Sequence, residues 1–170
     1  KENGKINARY ESCLPIEYGS ENAKYEYKNH SGSLVMNYQD HPNIRFFSQE
    51  EDSCTLEYDI ALNNTNNKVL LVASLANKNE LEAMMSAQNL DDALETCHDD
   101  ALKELYGSDT VWKDEKKRLK ALVASRYLES VAKGVNALEL SNAILDLSEE
   151  ERAKINVPSY IKEAIEWVIK

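Results

Sequence analysis

The residues that could do chemistry are few, and they are scattered along the chain. The tightest group is Cys97-His98-Asp99, three residue types of a thiol protease in consecutive positions. Neighbouring residues on a helix point about 100° apart, so a thiol and an imidazole at i and i+1 do not face each other. Cys97 also falls in an apolar stripe with Leu90, Ala93, Leu94, Ala101 and Leu105. A thiol buried in such a stripe is inert, and the triplet reads as a core cysteine, not a catalytic dyad.

A second constellation overlaps the first. Glu95 precedes His98 by three residues and Asp91 precedes Glu95 by four. On one continuous helix Asp91, Glu95 and His98 share an edge, and carboxylates with an imidazole on one edge can ligate a metal. A di-iron bundle site needs a second E-x-x-H and further glutamates on facing helices. The remaining histidines, His30 and His41, have no glutamate three residues before them. Asp91, Glu95 and His98 are thus a weak metal set, and a surface histidine paired with a carboxylate is the plainer reading. His30 and His41, with Asp40, are the other cluster with catalytic residue types, and nothing in the sequence sets their geometry.

Other motifs are missing. There is no G-x-S-x-G, no phosphate-binding P-loop, no G-x-G-x-x-G and no H-E-x-x-H. With 5 glycines in 170 residues there is little material for a phosphate-cradling loop, so no cofactor is expected. Lys113, Lys116, Lys117, Arg118 and Lys120 form a basic run. The segment before it, 89–109, carries seven acidic side chains against Lys103 alone. Two helices joined by so short a connection are neighbours, and their charges compensate within the fold. The net charge of −10 is spread over both halves: 7 basic and 11 acidic residues in 1–76, 13 and 19 in 77–170. A chain with this balance is a poor binder of phosphate backbones. It suits solubility, or an acidic face that docks on a basic protein or imitates nucleic acid.

The elements that must position these residues fall into two halves. Cys54, Leu56, Tyr58, Ile60 and Leu62 alternate with Thr55, Glu57, Asp59 and Ala61, a period of two. Asn63-Asn64-Thr65-Asn66-Asn67 interrupts the pattern, and Lys68 to Leu75 is a second apolar run. Together they predict a hairpin. Weaker strands are expected before it, over 9–18, 23–28, 33–38 and 44–47, with polar turns between. Six of nine tyrosines lie in residues 10–58, which suits a pleated, half-buried surface. After Asn77 the period becomes 3.6. Helices are expected from Asn79, from Asn89 to about Leu105, from Ser108 or Asp109 to Lys133, and from Asn136 to Asp146. Further helices follow from the Ser148/Glu151 capping pattern and from Ser159, the last with Ile165 and Val168 turned inward.

The expected fold is therefore α+β: an N-terminal antiparallel β-meander of about five or six strands over 1–76, then a C-terminal helical layer of about four or five helices over 77–170, in one domain. If Leu56, Tyr58, Ile60 and Leu62 share a face with Val69, Leu71, Ala73 and Leu75, then Leu70 and Val72 lie on the opposite face beside Glu57 and Asp59. A strand apolar on both faces needs a second cover. The expectation is burial within the chain. If a partner supplies the cover instead, Leu70, Val72, Glu57 and Asp59 become the binding surface.

Three function readings follow. The first is a non-catalytic acidic protein-binding module of the regulator, adaptor or inhibitor/immunity type, with a basic protein as its natural partner. The second is a small hydrolase or metal-dependent enzyme built on the histidine and carboxylate residues. The third is a nucleic-acid-associated domain or nucleic-acid mimic, which the charge balance disfavours. No apolar run reaches the roughly 18 residues of a membrane span. Three widely spaced cysteines, Cys13, Cys54 and Cys97, make no metal signature and favour reduced thiols in a cytoplasm. A start at Lys1 and a Cys13–Cys54 bridge would instead suit a processed, secreted or periplasmic chain, or an excised domain.

Overall fold

The computed structural model describes residues 30–49, 55–73, 75–109, 112–131 and 134–170. Among the described residues every regular element is a helix and no strand occurs. The expected N-terminal β-meander, and with it the α+β class, is therefore overturned. The expected strands over 9–18 and 23–28, and the cysteines Cys13 and Cys54, lie outside the described residues.

Among the described residues ten helices run in order: α1 His30–Tyr38, α2 Leu56–Asn63, α3 Lys68–Ala73, α4 Asn79–Met84, α5 Leu90–Thr96, α6 Asp100–Gly107, α7 Glu115–Ser130, α8 Val135–Asp146, α9 Glu149–Arg152 and α10 Ser159–Val168. None of these is long and apolar enough to cross a membrane.

The hairpin fails for a physical reason. Alternation at i, i+2, i+4 also contains i, i+4 pairs, which lie on one side of a helix. In α2 the fully buried residues are Tyr58 and Ala61, three apart, while Leu56 is 46% exposed. The second run is apolar on all sides, and such a run cannot be assigned by periodicity. It forms α3, where Leu70, Leu71 and Val72 are all buried. Between them the asparagines do not make a hairpin turn. The Asn67 carboxamide oxygen accepts the Leu70 amide at 3.1 Å, capping the start of α3. The expected strand over 33–38 is likewise helix α1, and residues 44–47 are irregular.

The chain divides into two compact units, 1–59 with 157–170, and 60–156; the division falls inside α2. In the larger unit α7 is the central element. It packs on α4, α5 and α6, and α3 packs on both α4 and α8. The buried residues of α7 are Ala121 to Ser125 and Tyr127; three of them, Ala121, Ala124 and Ser125, are small, which lets its neighbours approach. Leu81, Met84, Leu90, Ala93, Leu102 and Tyr106 are buried too, on the helices that surround it.

The segment 89–109 is two helices, not one. Asn89 caps α5 through the Asp92 amide at 2.9 Å. The Asp99 carboxylate then accepts the amides of Ala101 at 3.0 Å and Leu102 at 3.1 Å, starting a new helix after an extended Cys97. An aspartate that can cap competes with helix continuation, and here capping wins. Asp114 begins α7 in the same way, accepting from Lys116 and Lys117. Ser148 and Glu151 form a reciprocal capping box at α9.

In the smaller unit the described contacts are mainly aromatic. Tyr38 packs on Phe46 with centroids 5.2 Å apart, and Phe47 meets Trp167 edge-on at 6.4 Å. On α10 Ile165 and Val168 are 55% and 73% exposed, so these two do not turn inward as expected.

Candidate functional site

Among the described residues three places bring polar chemistry together: a charged cluster around Glu80, an asparagine-lined cleft, and a small aromatic cleft in the other unit.

The charged cluster sits where α4, the Cys97–Asp99 break and α7 meet. Glu80, in the first turn of α4, has a side chain only 9% exposed. Its Oε2 lies 2.6 Å from Arg126 Nη2 on α7, and its Oε1 accepts the His98 backbone amide at 2.7 Å. Burial pushes the Glu80 carboxyl up, but the Arg126 hydrogen bond, the His98 amide and the nearby positive charges outweigh it and hold the pKa below the usual range. Arg126 donates a further bond to Ser130 Oγ at 2.9 Å, and its own pKa is raised chiefly by the Glu80 hydrogen bond.

The sequence candidates are placed differently from expectation. Asp91 and Glu95 lie on α5, but that helix ends at Thr96 and His98 follows the break. The three do not share a helix edge, and among the described residues no group of three His, Cys, Asp or Glu side chains is placed to hold a metal ion. The carboxylate nearest His98 is Glu80, 3.7 Å from Nδ1, and the imidazole is 80% exposed. Cys97 is fully buried and its Sγ faces the Asp99 carbonyl at 3.7 Å. Burial first, then the charges of Glu80 and Asp99, raises its thiol pKa against the opposing hydrogen bond at Asp99 and the charge of Arg126. In a chain carrying Cys13→Ser and Cys54→Ser, Cys97 should react with Ellman's reagent at pH 8 about 100-fold more slowly than in urea; a rate within a few-fold of the unfolded one would contradict an inert thiol. His41 is used locally: Nδ1 accepts the Asn43 amide at 3.2 Å, and the ring meets Tyr38.

The basic run is divided in its use. Arg118 donates to the carbonyls of Tyr106 at 3.2 Å and Gly107 at 3.3 Å, closing the end of α6. Lys117 lies over the Trp112 ring at 5.8 Å, and Trp112 stacks on Tyr106. Lys113, Lys116 and Lys120 are exposed. Below them, Tyr106 and Ser125 share a buried hydroxyl pair at 2.6 Å.

The asparagine-lined cleft, of ≈ 530 Å³, lies in the larger unit. One side comes from Asn64, Asn66, Asn67, Lys68 and Val69, the other from Leu147, Glu151, Lys154 and Asn156. Asn64 ties the sides together. It is 1% exposed, its Nδ2 donates to the carbonyls of Ile60 and Asn156 at 2.8 Å each, and its Oδ1 accepts the Asn156 amide at 2.8 Å. Asn156 Nδ2 returns a bond to the Asn63 carbonyl at 3.1 Å. No sequence signal points to this pairing, because its partners are 92 residues apart.

In the smaller unit a cleft of ≈ 310 Å³ is lined by Arg45, Phe46, Phe47, Tyr160 and Glu163 among others. Burial, then the charge and hydrogen bond of Asp59, pushes the Tyr160 hydroxyl up to about 12. Asp59 is itself buried.

The binding surface expected from the sequence fares as follows. Leu70 and Val72 are 2% and 7% exposed, on a helix rather than a strand. Glu57 and Asp59 lie in the other unit. The exposed side of α8 was not anticipated. This helix has no buried residue among those described and leaves Val135, Leu138 and Leu145 63%, 66% and 68% exposed.

Compared with protein-family models, curated proteins and solved structures, the chain finds no match.

Proposed function

We propose that this chain is a non-catalytic protein-binding module whose docking element is α8, and that its partner presents apolar side chains flanked by basic ones. The observation that carries the reading is the two-sidedness of α8. Leu140, Ala143, Ile144 and Leu147 are half-buried along one side, and α3 packs on this helix. Val135, Leu138 and Leu145 line the opposite side and are exposed. A helix apolar on both sides belongs in an interior, so the outer side calls for a second cover.

Charge selects the kind of cover. From Val135 to Glu151 the chain carries Glu139, Asp146, Glu149, Glu150 and Glu151 and no basic residue. Glu139 and Asp146 border the exposed stripe on the helical wheel. An apolar strip with an acidic rim complements a basic amphipathic segment, with the apolar contacts supplying affinity and the rim supplying steering and register.

The experiment is affinity capture from the native organism, followed by titration of the recovered protein. Leu138→Ala with Leu145→Ala removes side chains that are already exposed, so the helical circular dichroism should stay unchanged. Truncating two central anchors at about 1–2 kcal/mol each should raise Kd at least tenfold. Raising ionic strength should weaken the native complex as well. A partner held equally by both chains, or held without salt dependence, would move the docking surface away from α8. Loss of self-association in the double variant would identify a second copy of the chain as the cover instead.

A further inference from the structure

We propose that the cleft between Asn66–Val69 and Leu147–Asn156 binds a short zwitterionic peptide of two or three residues, with its carboxylate at Lys68 and its ammonium at Glu151. The site is distinct in chemistry from the α8 stripe, so either proposal can fail without the other.

The lining narrows the ligand class. A cleft of ≈ 530 Å³ lies within the range of small-ligand sites, about 300–1,000 Å³. Among the described residues no aromatic side chain lines it. Nucleobases are held largely by stacking on aromatic rings, so that class is disfavoured. Asn64 and Asn156 spend their carboxamides on each other's segment, which leaves the Nδ2 donors of Asn66 and Asn67 to meet the carbonyls of a peptide. Asn67 uses its oxygen to cap α3.

The charges set the two poles. Among the described residues Lys68 meets the neutral Ser86 hydroxyl and no carboxylate. Lys68 lines the cleft and, among the described residues, has no ion-pair partner. Lys154, by contrast, pairs with exposed Glu150 at 3.0 Å. Glu151, which also lines the cleft, is fixed by Ser148: its Oε2 accepts the Ser148 amide at 2.9 Å and its hydroxyl at 2.8 Å. Those bonds hold the Glu151 carboxyl below its ordinary pKa and engage Oε2, which leaves Oε1 for a ligand. Lys68 and Glu151 line the same cleft with Asn66 and Asn67, and a cation and an anion in one cleft suit a ligand carrying both charges. The Asn64–Asn156 bonds keep the walls at a set separation, which lowers the ordering cost of binding.

The test is a nuclear magnetic resonance titration of the full chain with trialanine, its C-terminal amide and its N-acetyl form. Trialanine should shift the side-chain amide signals of Asn66 and Asn67, and each capped form should bind at least tenfold more weakly. Lys68→Met keeps the aliphatic stem and removes the charge. It should abolish the preference for the free carboxylate while leaving the penalty for acetylation. Lys68 is exposed, so the spectrum of the variant should otherwise match the native one. Equal binding of all three peptides, no shift up to ~20 mM, or an unchanged carboxylate preference in Lys68→Met would each overturn the proposal. Tighter binding of inorganic phosphate than of trialanine would do so too, and would mark the cleft as a simple anion site.

Discussion

Replacing Glu80 by alanine should lower the unfolding free energy by about 3 kcal/mol, the scale on which removing one partner of a buried pair is felt. The substitution strands the Arg126 guanidinium, 21% exposed, with Ser130 as its remaining side-chain partner among the described residues. It also takes the acceptor from the His98 amide, which needs one where the chain breaks between α5 and α6. Urea unfolding of both proteins measures the difference. A loss below about 1 kcal/mol would place the pair with screened surface bridges. Glu80→Gln keeps the shape and one acceptor and should lose less. The pH dependence has a definite sign. The folded pKa of Glu80 is depressed from 4.5, so its contribution is fully present above that value. It is lost as pH falls through the lower folded value. The gap between native chain and Glu80→Ala should therefore be full at neutral pH and narrow in acid.

Asn64→Asp should be comparably damaging despite its near-identical shape. The native carboxamide donates to two carbonyls at 2.8 Å and accepts one amide. A carboxylate there would turn an oxygen toward both carbonyls and bury a charge at a position 1% exposed. The expected loss is about 3–4 kcal/mol at pH 7, combining lost donors with charge burial. It should shrink on acidification, because a protonated carboxyl regains one donor. Hydrogen exchange provides a local readout: the Asn156 amide should lose protection first. A variant as stable as the native chain would show that the Asn64–Asn156 connection carries no weight.

Local signals in the sequence were legible where the chemistry itself is local. Asn89 three residues before Asp92, and Ser148 three before Glu151, are the caps seen at α5 and α9. Such caps depend on the reach of a short side chain to a backbone amide in the next turn, and sequence spacing states that reach directly. At Asn79 the expected helix start holds, although the helix begins there without a side-chain cap and Lys78 precedes it. The same logic missed the break at Asp99, since a capping aspartate inside an apolar periodic run leaves the period almost intact.

The helix class of residues 56–73 was not legible from alternation. Leu56 to Leu62 satisfies a period of two and, through its i, i+4 pairs, one side of a helix as well. Lys68 to Leu75 has no polar side to fix any period. Burial decided between them: Tyr58 and Ala61 point to one side of α2, and α3 is covered by α4 and α8.

By itself, then, the sequence determined the acidic balance, the absence of standard catalytic motifs and several helix caps. Each follows from composition or from neighbours within one turn. The tertiary structure alone decided that the carboxylate beside His98 is Glu80 rather than Glu95. It alone joined Asn64 to Asn156 and left one side of α8 exposed. Those outcomes depend on side chains far apart in the chain meeting at particular distances, and on which apolar surfaces find a cover. Neither is encoded in any single stretch of residues, because both are properties of how the helices pack.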